Sequence, residues 1–388
     1  MKDDSSKKIR VDFRKNRNSR TRANDLTQLY RDGIPEKEDD QGPGSERISG
    51  KGDLVRKRTV VGRQVELESA AGERGDFLIE PEIDDSTCLS GRVLAVRGLY
   101  SQVEDEQGRV FTCLTRRILK TLSTGQRQIV VTGDRVLFRD AFTPGRLEGF
   151  IERVETRHGT LSRSSRERKH IIVTNVDQAL IVTSVAEPVM KPNLIDRLLV
   201  TCERAGIRPV ICINKIDLGD PVLLQPFIGV YAQMGYRVVC VSTKTGDGIA
   251  RLRRILAGRE SVVAGQSGVG KSSILNAVVP ELDLRVRQVS DTNQKGRHTT
   301  TTAELLKLPF GGYVVDTPGI RQFMLWDFVP EEVPGYYRDL RPYESLCRYP
   351  DCTHTHEELC AVKDAVADGW LDLRRYESYL ALRSGSMD

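Results

Sequence analysis

The sequence predicts a multi-domain chain: a small antiparallel β-barrel of OB type, then an α/β domain on a parallel sheet, then a small C-terminal domain with helices. Three observations carry this. The chain has 388 residues, enough for two or three domains. Short alternating strands with glycine turns follow Ser90, and from His170 near-continuous Val/Ile runs alternate with helical spacing. Near the end, three of the eight cysteines cluster with histidines.

In chain order, residues 1–85 are polar and hold no long period. "EKEDDQGPGSERISGKGD" lacks the apolar surface to offset the entropy of ordering, so this region is expected as a largely disordered basic and polar extension. Over 86–158, "GRVLAVRGLYSQVED", "RVFTCLTRRIL", "QIVVTGDRVLFRD" and "EGFIERVETR" read as short strands of an OB-type barrel suited to RNA. Over 159–330, "QALIVTSVA", "RPVICIN", "YRVVCVS", "SVVAGQ" and "YVVDT" read as strands covered on both faces, with helices between them. "LLKLPFGGYVVD" reads as a hairpin, giving one antiparallel edge pair. Residues 331–388 form the C-terminal domain.

Composition excludes some classes. No apolar run reaches the roughly 18 residues of a membrane span. The N-terminus lacks an apolar h-region, and Asp3, Asp4 and Asp12 argue against a transit peptide. A cytoplasmic, membrane-free protein, expected as a monomer, follows. Disulfides are then not expected. Cys88, Cys113, Cys202, Cys212 and Cys240 read as small core residues.

Gly265-Gln-Ser-Gly-Val-Gly-Lys-Ser272 satisfies the phosphate-loop pattern, with a strand before it and a helix after it. Gly265, Gly268 and Gly270 let backbone N–H groups turn around an anion, and the helix N-terminus adds its dipole. Gln266, Ser267, Val269 and Ser273 complete the lining. Lys271 supplies charge to the β- and γ-phosphates, and the Ser272 hydroxyl ligates Mg²⁺. Asp316-Thr-Pro-Gly319 follows a strand: Asp316 suits Mg²⁺ through water, and Gly319 lets its backbone approach the γ-phosphate. In "QKGRHTTTTAEL" a threonine completes Mg²⁺ coordination; Thr300 and Thr301 are favoured over Thr299 and Thr302 without a choice between them.

The base is read elsewhere. "NKID" places Asn214, Lys215 and Asp217 at a strand end. The Asp217 carboxylate accepts from guanine N1–H and N2–H, a pair adenine does not offer. Asn214 braces the loop, and the Lys215 stem covers the ring. In "VSTKTGDG", Thr243 and Lys244 offer a backbone N–H to guanine O6 and a second stem. These motifs precede the phosphate loop, whereas ordinary GTPases place them after it. The domain therefore reads as a circularly permuted P-loop GTPase. Cys347-x4-Cys352-x-His354-x5-Cys360 suits a closed, structural Zn²⁺ site, with His356 as a rival to His354. "RHGTLSRSSRERKH" at 157–170 has basic residues suited to phosphate backbone. Arg341, Arg348 and Tyr349 are candidates for RNA contact or plain surface residues.

The permuted order between a barrel and a Cys/His cluster resembles the bacterial ribosome small-subunit-dependent GTPase family (RsgA, also called YjeQ or YloQ). "NKID", "GQSGVGKSS", "GRHTTT", "DTPGIRQF" and "CRYPDCTHTHEELC" carry the resemblance, which spans roughly residues 88–380. It implies an OB-fold, a permuted GTPase and a zinc domain. It also implies binding to the small ribosomal subunit and its rRNA, subunit-stimulated hydrolysis of GTP to GDP, and a role late in subunit maturation. Its CxH spacing favours His354. Two departures are Thr243, where the family has Ala, and the long N-terminal extension. The readings set against it are an RNA-binding module that uses GTP only as a regulatory ligand, and a permuted GTPase acting on the large subunit.

Ile320 follows Gly319, where other P-loop GTPases place a water-orienting glutamine. His298, beside the threonine run, is the candidate replacement, and the resemblance supports it; the alternative is an exposed loop histidine. His298→Ala is expected to keep nucleotide affinity and to lose small-subunit-stimulated phosphate release. Undiminished stimulated turnover would remove His298 from the mechanism.

Overall fold

The computed structural model describes residues 7–13, 56–66, 77–81, 85–116, 119, 129–142, 144–165, 168–282, 303–316 and 330–385. The chain divides into two units, Met1–Ile83 and Asp84–Asp388. In the first, β1 (Lys7–Phe13), β2 (Arg56–Glu66) and β3 (Phe77–Pro81) form an antiparallel sheet in the order β1-β2-β3. The expectation of a largely disordered extension differs from this. "KIRVDF" alternates apolar and charged residues, and "TVVGRQV" is rich in β-formers. These runs are shorter than the polar segments that dominated the reading.

The second unit opens with β4 (Leu89–Arg97), β5 (Tyr100–Asp105), β6 (Val110–Thr115), β7 (Arg135–Asp140) and β8 (Glu148–Val154). β4–β5, β5–β6, β7–β8 and β4–β7 pair antiparallel, and β6–β8 pair parallel, which closes a five-stranded barrel. Closure removes the open edges that short strands otherwise expose. Inward-facing Val93, Val103, Phe111, Val136, Phe138 and Ile151 fill it, with the Phe111 and Phe138 rings 5.0 Å apart. A hairpin of β9 (Leu161–Ser165) and β10 (Arg168–Val173) follows.

Next come β11 (Gln178–Ser184), α1 (Pro192–Arg204), β12 (Arg208–Asn214), α2 (Pro221–Gln233), β13 (Arg237–Cys240), α3 (Ile249–Leu256), β14 (Arg259–Ala264), α4 (Lys271–Val278), β15 (Glu304–Lys307) and β16 (Gly312–Asp316). The sheet order is β13-β12-β11-β14-β16-β15. All pairs are parallel except β15–β16, the expected hairpin. Every residue of β11 is buried, as both-face coverage requires. Its neighbours in sequence serve opposite cores: Ile181 packs with Ile195 and Leu199 of α1, and Leu180 with Ile274 of α4. β15 is not a free edge. Glu304 pairs with Ala95 of β4, so the sheet runs on into the barrel. Among the described residues no helix is long and apolar enough to cross a membrane.

The chain ends in a short helical turn, α5 (Arg341–Glu344), then α6 (Ala361–Ala367) and α7 (Leu373–Arg383). Val333, Tyr337, Leu340, Val362, Leu371 and Tyr379 form its core, joined by Val200 of α1. Polar contacts fix the same junction. Arg375 lies 2.6 Å from Asp196 of α1 and donates to both oxygens of Asp339 at 2.9 Å. The Tyr231 hydroxyl of α2 donates to Asp196 at 2.6 Å. Arg375 is 1% exposed and Asp196 0%, so removing one partner strands the other charge away from water. Arg375→Met is expected to destabilise the protein by about 3–5 kcal/mol, read as a lowered urea midpoint. An unchanged midpoint would show that the pair is not needed to hold the junction.

Candidate functional site

The phosphate-loop residues occupy the turn from β14, in the middle of the sheet, into α4. Two glycines make that turn possible. Gly265 has φ +139°, and a Cβ there would lie 2.1 Å from the Val182 carbonyl of β11. Gly270 has φ +92°, and a Cβ would lie 2.4 Å from the Asn214 amide nitrogen. L-residues rarely adopt these conformations, and backbone already fills the first space. Lys271 begins α4 and curls over the loop, its Nζ donating to the Gly265 carbonyl at 2.8 Å and the Gln266 carbonyl at 2.7 Å. Ser272 and Ser273 occupy the first turn of α4, where backbone N–H groups carry partial positive charge.

The residues of the NKID motif sit at the end of β12, two strands from β14. Asn214 is 1% exposed, and its Nδ2 donates to the Val269 carbonyl at 2.8 Å. That bond ties the end of β12 to the loop between β14 and α4. Lys215 takes a left-handed φ of 58°, and its Nζ donates to the Glu187 carbonyl in the loop before α1. Asp217 is exposed, and its Oδ1 accepts from the Ser242 hydroxyl at 2.6 Å. That bond, helped by the charges of Lys244 and Lys215, holds its carboxyl below the usual range and keeps it an acceptor. Ser242 also accepts from the backbone N–H groups of Lys244 and Thr245, each at 3.2 Å. The two base loops are thus tied through one hydroxyl. Sequence reasoning named Thr243 and Lys244 and missed Ser242; its signal was a serine at a strand end opening a turn.

Asp316 closes β16, and its backbone pairs with Glu304. His298, Thr299, Thr300, Thr301, Thr302 and Gly319 lie outside the described residues. Arg157 departs from the expectation of a phosphate-facing charge. Its guanidinium donates to Asp134 at 2.7 and 2.8 Å and to the Ile129 carbonyl at 2.7 Å, so it staples the linker to the barrel.

In the C-terminal domain, Cys347, Cys352, His354 and Cys360 bring their ligand atoms within 4.8 Å of one another. His354 Nδ1 lies 3.5 Å from the sulfurs of Cys347 and Cys360, which are themselves 3.9 Å apart. A tetrahedron with zinc–ligand arms of about 2.0–2.3 Å has edges of roughly 3.3–3.8 Å, so this donor set fits the ion. Tyrosines of α7 pin the loop: the Tyr376 hydroxyl donates to the His354 carbonyl at 2.7 Å and the Tyr379 hydroxyl to the Thr353 carbonyl at 2.6 Å. Glu357 accepts from the N–H groups of Thr353 and Thr355 at 2.8 and 2.9 Å. Burial lowers the His354 pKa, favouring the neutral ring that ligates metal. The rival His356 is 84% exposed and points to Thr355, outside the cluster.

The RsgA GTPase family model matches residues 154–326. A protein of Sodalis glossinidius named small ribosomal subunit biogenesis GTPase RsgA is 38% identical over 296 residues, 74% of this chain and 83% of that protein. One of the same name from Shewanella oneidensis is 39% identical over 306 residues, 77% of this chain and 85% of its own length. The crystal structure of YjeQ from Thermotoga maritima aligns with TM-score 0.64 at 35% identity, covering 77% of this chain and 98% of that one. That of YloQ, described as a circularly permuted GTPase, aligns with TM-score 0.62 at 30% identity, covering 79% and 97%.

Gly270→Ala is expected to displace Asn214 from Val269 and to weaken binding of guanine nucleotides by roughly five- to thirtyfold, from about 1–2 kcal/mol of backbone strain. Titration with a fluorescent GDP analogue measures it; wild-type affinity would mean that the brace is dispensable.

Proposed function

Because the chain belongs to the RsgA GTPase family, we propose that it hydrolyses GTP to GDP and phosphate while bound to the small ribosomal subunit and its rRNA, late in that subunit's maturation. The observation that carries the reading is the Asn214–Val269 bond, which makes one site of a guanine motif and a phosphate motif that lie in inverted order along the chain. Asp217 accepts from guanine N1–H and N2–H, braced by Ser242, while Lys215 and Lys244 flank the ring and Thr243 lies toward O6. The loop 265–273 holds the phosphates.

The glycine cradle and Lys271 fit a nucleoside triphosphate with its Mg²⁺. Ser272 and Thr300 or Thr301 would hold that ion, with Asp316 acting through water. When bound, that ion would offset the negative charge carried by the phosphates. A water oxygen forms a bond to the γ-phosphorus as the bond to the β–γ bridging oxygen breaks, and that electron pair leaves on GDP. Lys271 offsets the negative charge on the phosphates, Gly319 offers a backbone N–H near the γ-phosphate, and His298 orients the water and takes its proton.

One structural Zn²⁺ on Cys347, Cys352, His354 and Cys360 would let the small C-terminal domain fold. We divide the chain into an extension (1–85), an OB-fold for rRNA (86–158), the permuted GTPase (159–330) and the zinc domain (331–388). It acts in the cytoplasm as a monomer.

Multiple-turnover phosphate release tests the reading. Slow release alone and faster release with purified small subunits are expected; equal stimulation by large subunits would defeat it. Asp217→Ala is expected to lose roughly 10–150-fold in GTP affinity, from about 1.5–3 kcal/mol for a charge-assisted hydrogen bond, with ATP affinity unmoved.

A further inference from the structure

The barrel contacts the GTPase sheet through ion pairs from Arg92 of β4 and Arg135 of β7 to Glu260 of β14, and through strand pairing with the hairpin β15–β16; that hairpin has an unusual place in the chain. The threonine run ends immediately before Ala303, and the DTPG motif begins at Asp316. Glu304 and Asp316 are direct cross-strand partners, and Glu304 pairs on its other side with Ala95 of the barrel. One line across three strands, Ala95–Glu304–Asp316, therefore joins the barrel to the points in the chain where the threonine run ends and the DTPG motif begins.

Side chains reinforce that line. The Thr132 hydroxyl, 3% exposed, donates to the Ala303 carbonyl at 2.8 Å. Thr132 is itself held rigidly. Its carbonyl accepts from Thr174 N–H at 3.1 Å, and the next residue, Gly133, donates to the Val93 carbonyl of β4 at 2.9 Å. Arg97, at the end of β4, reaches Glu304 at 3.3 Å. At the far end of the hairpin, Glu104 of β5 accepts from the Tyr313 hydroxyl at 2.6 Å and pairs with Lys307.

We propose that the barrel is a positioning element for GTP hydrolysis, and that Thr132 and Arg97 hold the common root of the two γ-phosphate segments in register with it. This rests on the proposed function. RNA engaged by the barrel then acts on hydrolysis through the backbone of Ala303 and Glu304. Thr132 and Arg97 touch neither nucleotide nor metal; they act through β15.

The test compares full-length protein with Thr132→Val, Thr132→Ser and Arg97→Ala. Basal turnover, small-subunit-stimulated kcat, KM for GTP and co-sedimentation with small subunits are measured for each. Thr132→Val removes one buried hydrogen bond and is expected to lower stimulated kcat by roughly three- to tenfold. Basal turnover, KM and co-sedimentation stay at wild-type values, and Thr132→Ser restores stimulation. Arg97→Ala, at a solvent-exposed pair, is expected to lower stimulated kcat by about two- to fivefold; it reads the same anchor should Thr132→Val not fold. Wild-type stimulation in Arg97→Ala and in folded Thr132→Val would overturn the proposal alone. So would a Thr132→Val variant whose basal turnover and KM suffer as much as its stimulated kcat, since that marks a merely structural role. Unmodified protein that small subunits do not stimulate would overturn the proposed function, and this inference with it.

Discussion

A single buried amide joins the loop that carries the NKID motif to the loop that carries the glycine-rich motif. Asn214 stands at the end of β12 and Val269 in the loop after β14, with β11 between those strands. Parallel packing alone places the strand ends on one side of the sheet, because every β–α–β crossover returns the chain to the same edge. It does not fix the loops against one another at ångström precision. The Nδ2–carbonyl bond does so in a place closed to water, where an unpaired donor is costly. Connectivity matters little to this bond, so the same site survives a chain that visits its strands in a different order.

Around that centre the molecule is held by attachments of different chemistry. The barrel meets the sheet through strand pairing on β15 and polar links to β14, β15 and β16. The C-terminal domain meets α1 through an apolar cluster that includes Val200, closed over a buried arginine between two aspartates, and Tyr231 of α2 bonds to one of those aspartates. The first attachment lies at Glu304 and Asp316, where the threonine run ends and the DTPG motif begins in the sequence. The second lies on the helix layer, one step removed from them, so the two flanking domains have unequal access to the chemistry.

Much of this was legible in the sequence, for identifiable reasons. Glycines at 265, 268 and 270 mark a conformation that few other residues tolerate, and the Val/Ile runs mark strands covered on both faces. The spacing of Cys347, Cys352 and Cys360 names a donor set, although choosing His354 over His356 needed the family pattern or the fold. Long-range polar partners were not legible. Nothing in the local pattern says that Ser242 serves Asp217, that Arg157 turns inward to Asp134, or that Thr132 reaches Ala303. Periodicity reports which face a residue takes, not which residue from a distant part of the chain will meet it. The three strands before residue 83 are hard to read for a different reason: short β-prone runs are outweighed by the polar segments between them.

The placement of Arg375 has a consequence for how the protein is made. Asp196 leaves the translating ribosome early, and its counter-charge follows only after most of the remaining chain has been synthesised. At the usual rate of about 5–20 residues per second, the carboxylate stays without its arginine for roughly ten to forty seconds. During that time Tyr231 and water are its partners, and the outer face of α1 is uncovered. The nascent nucleotide domain is therefore finished from its own tail, and a message truncated before α7 yields a product with a bare acidic scar on its helix layer.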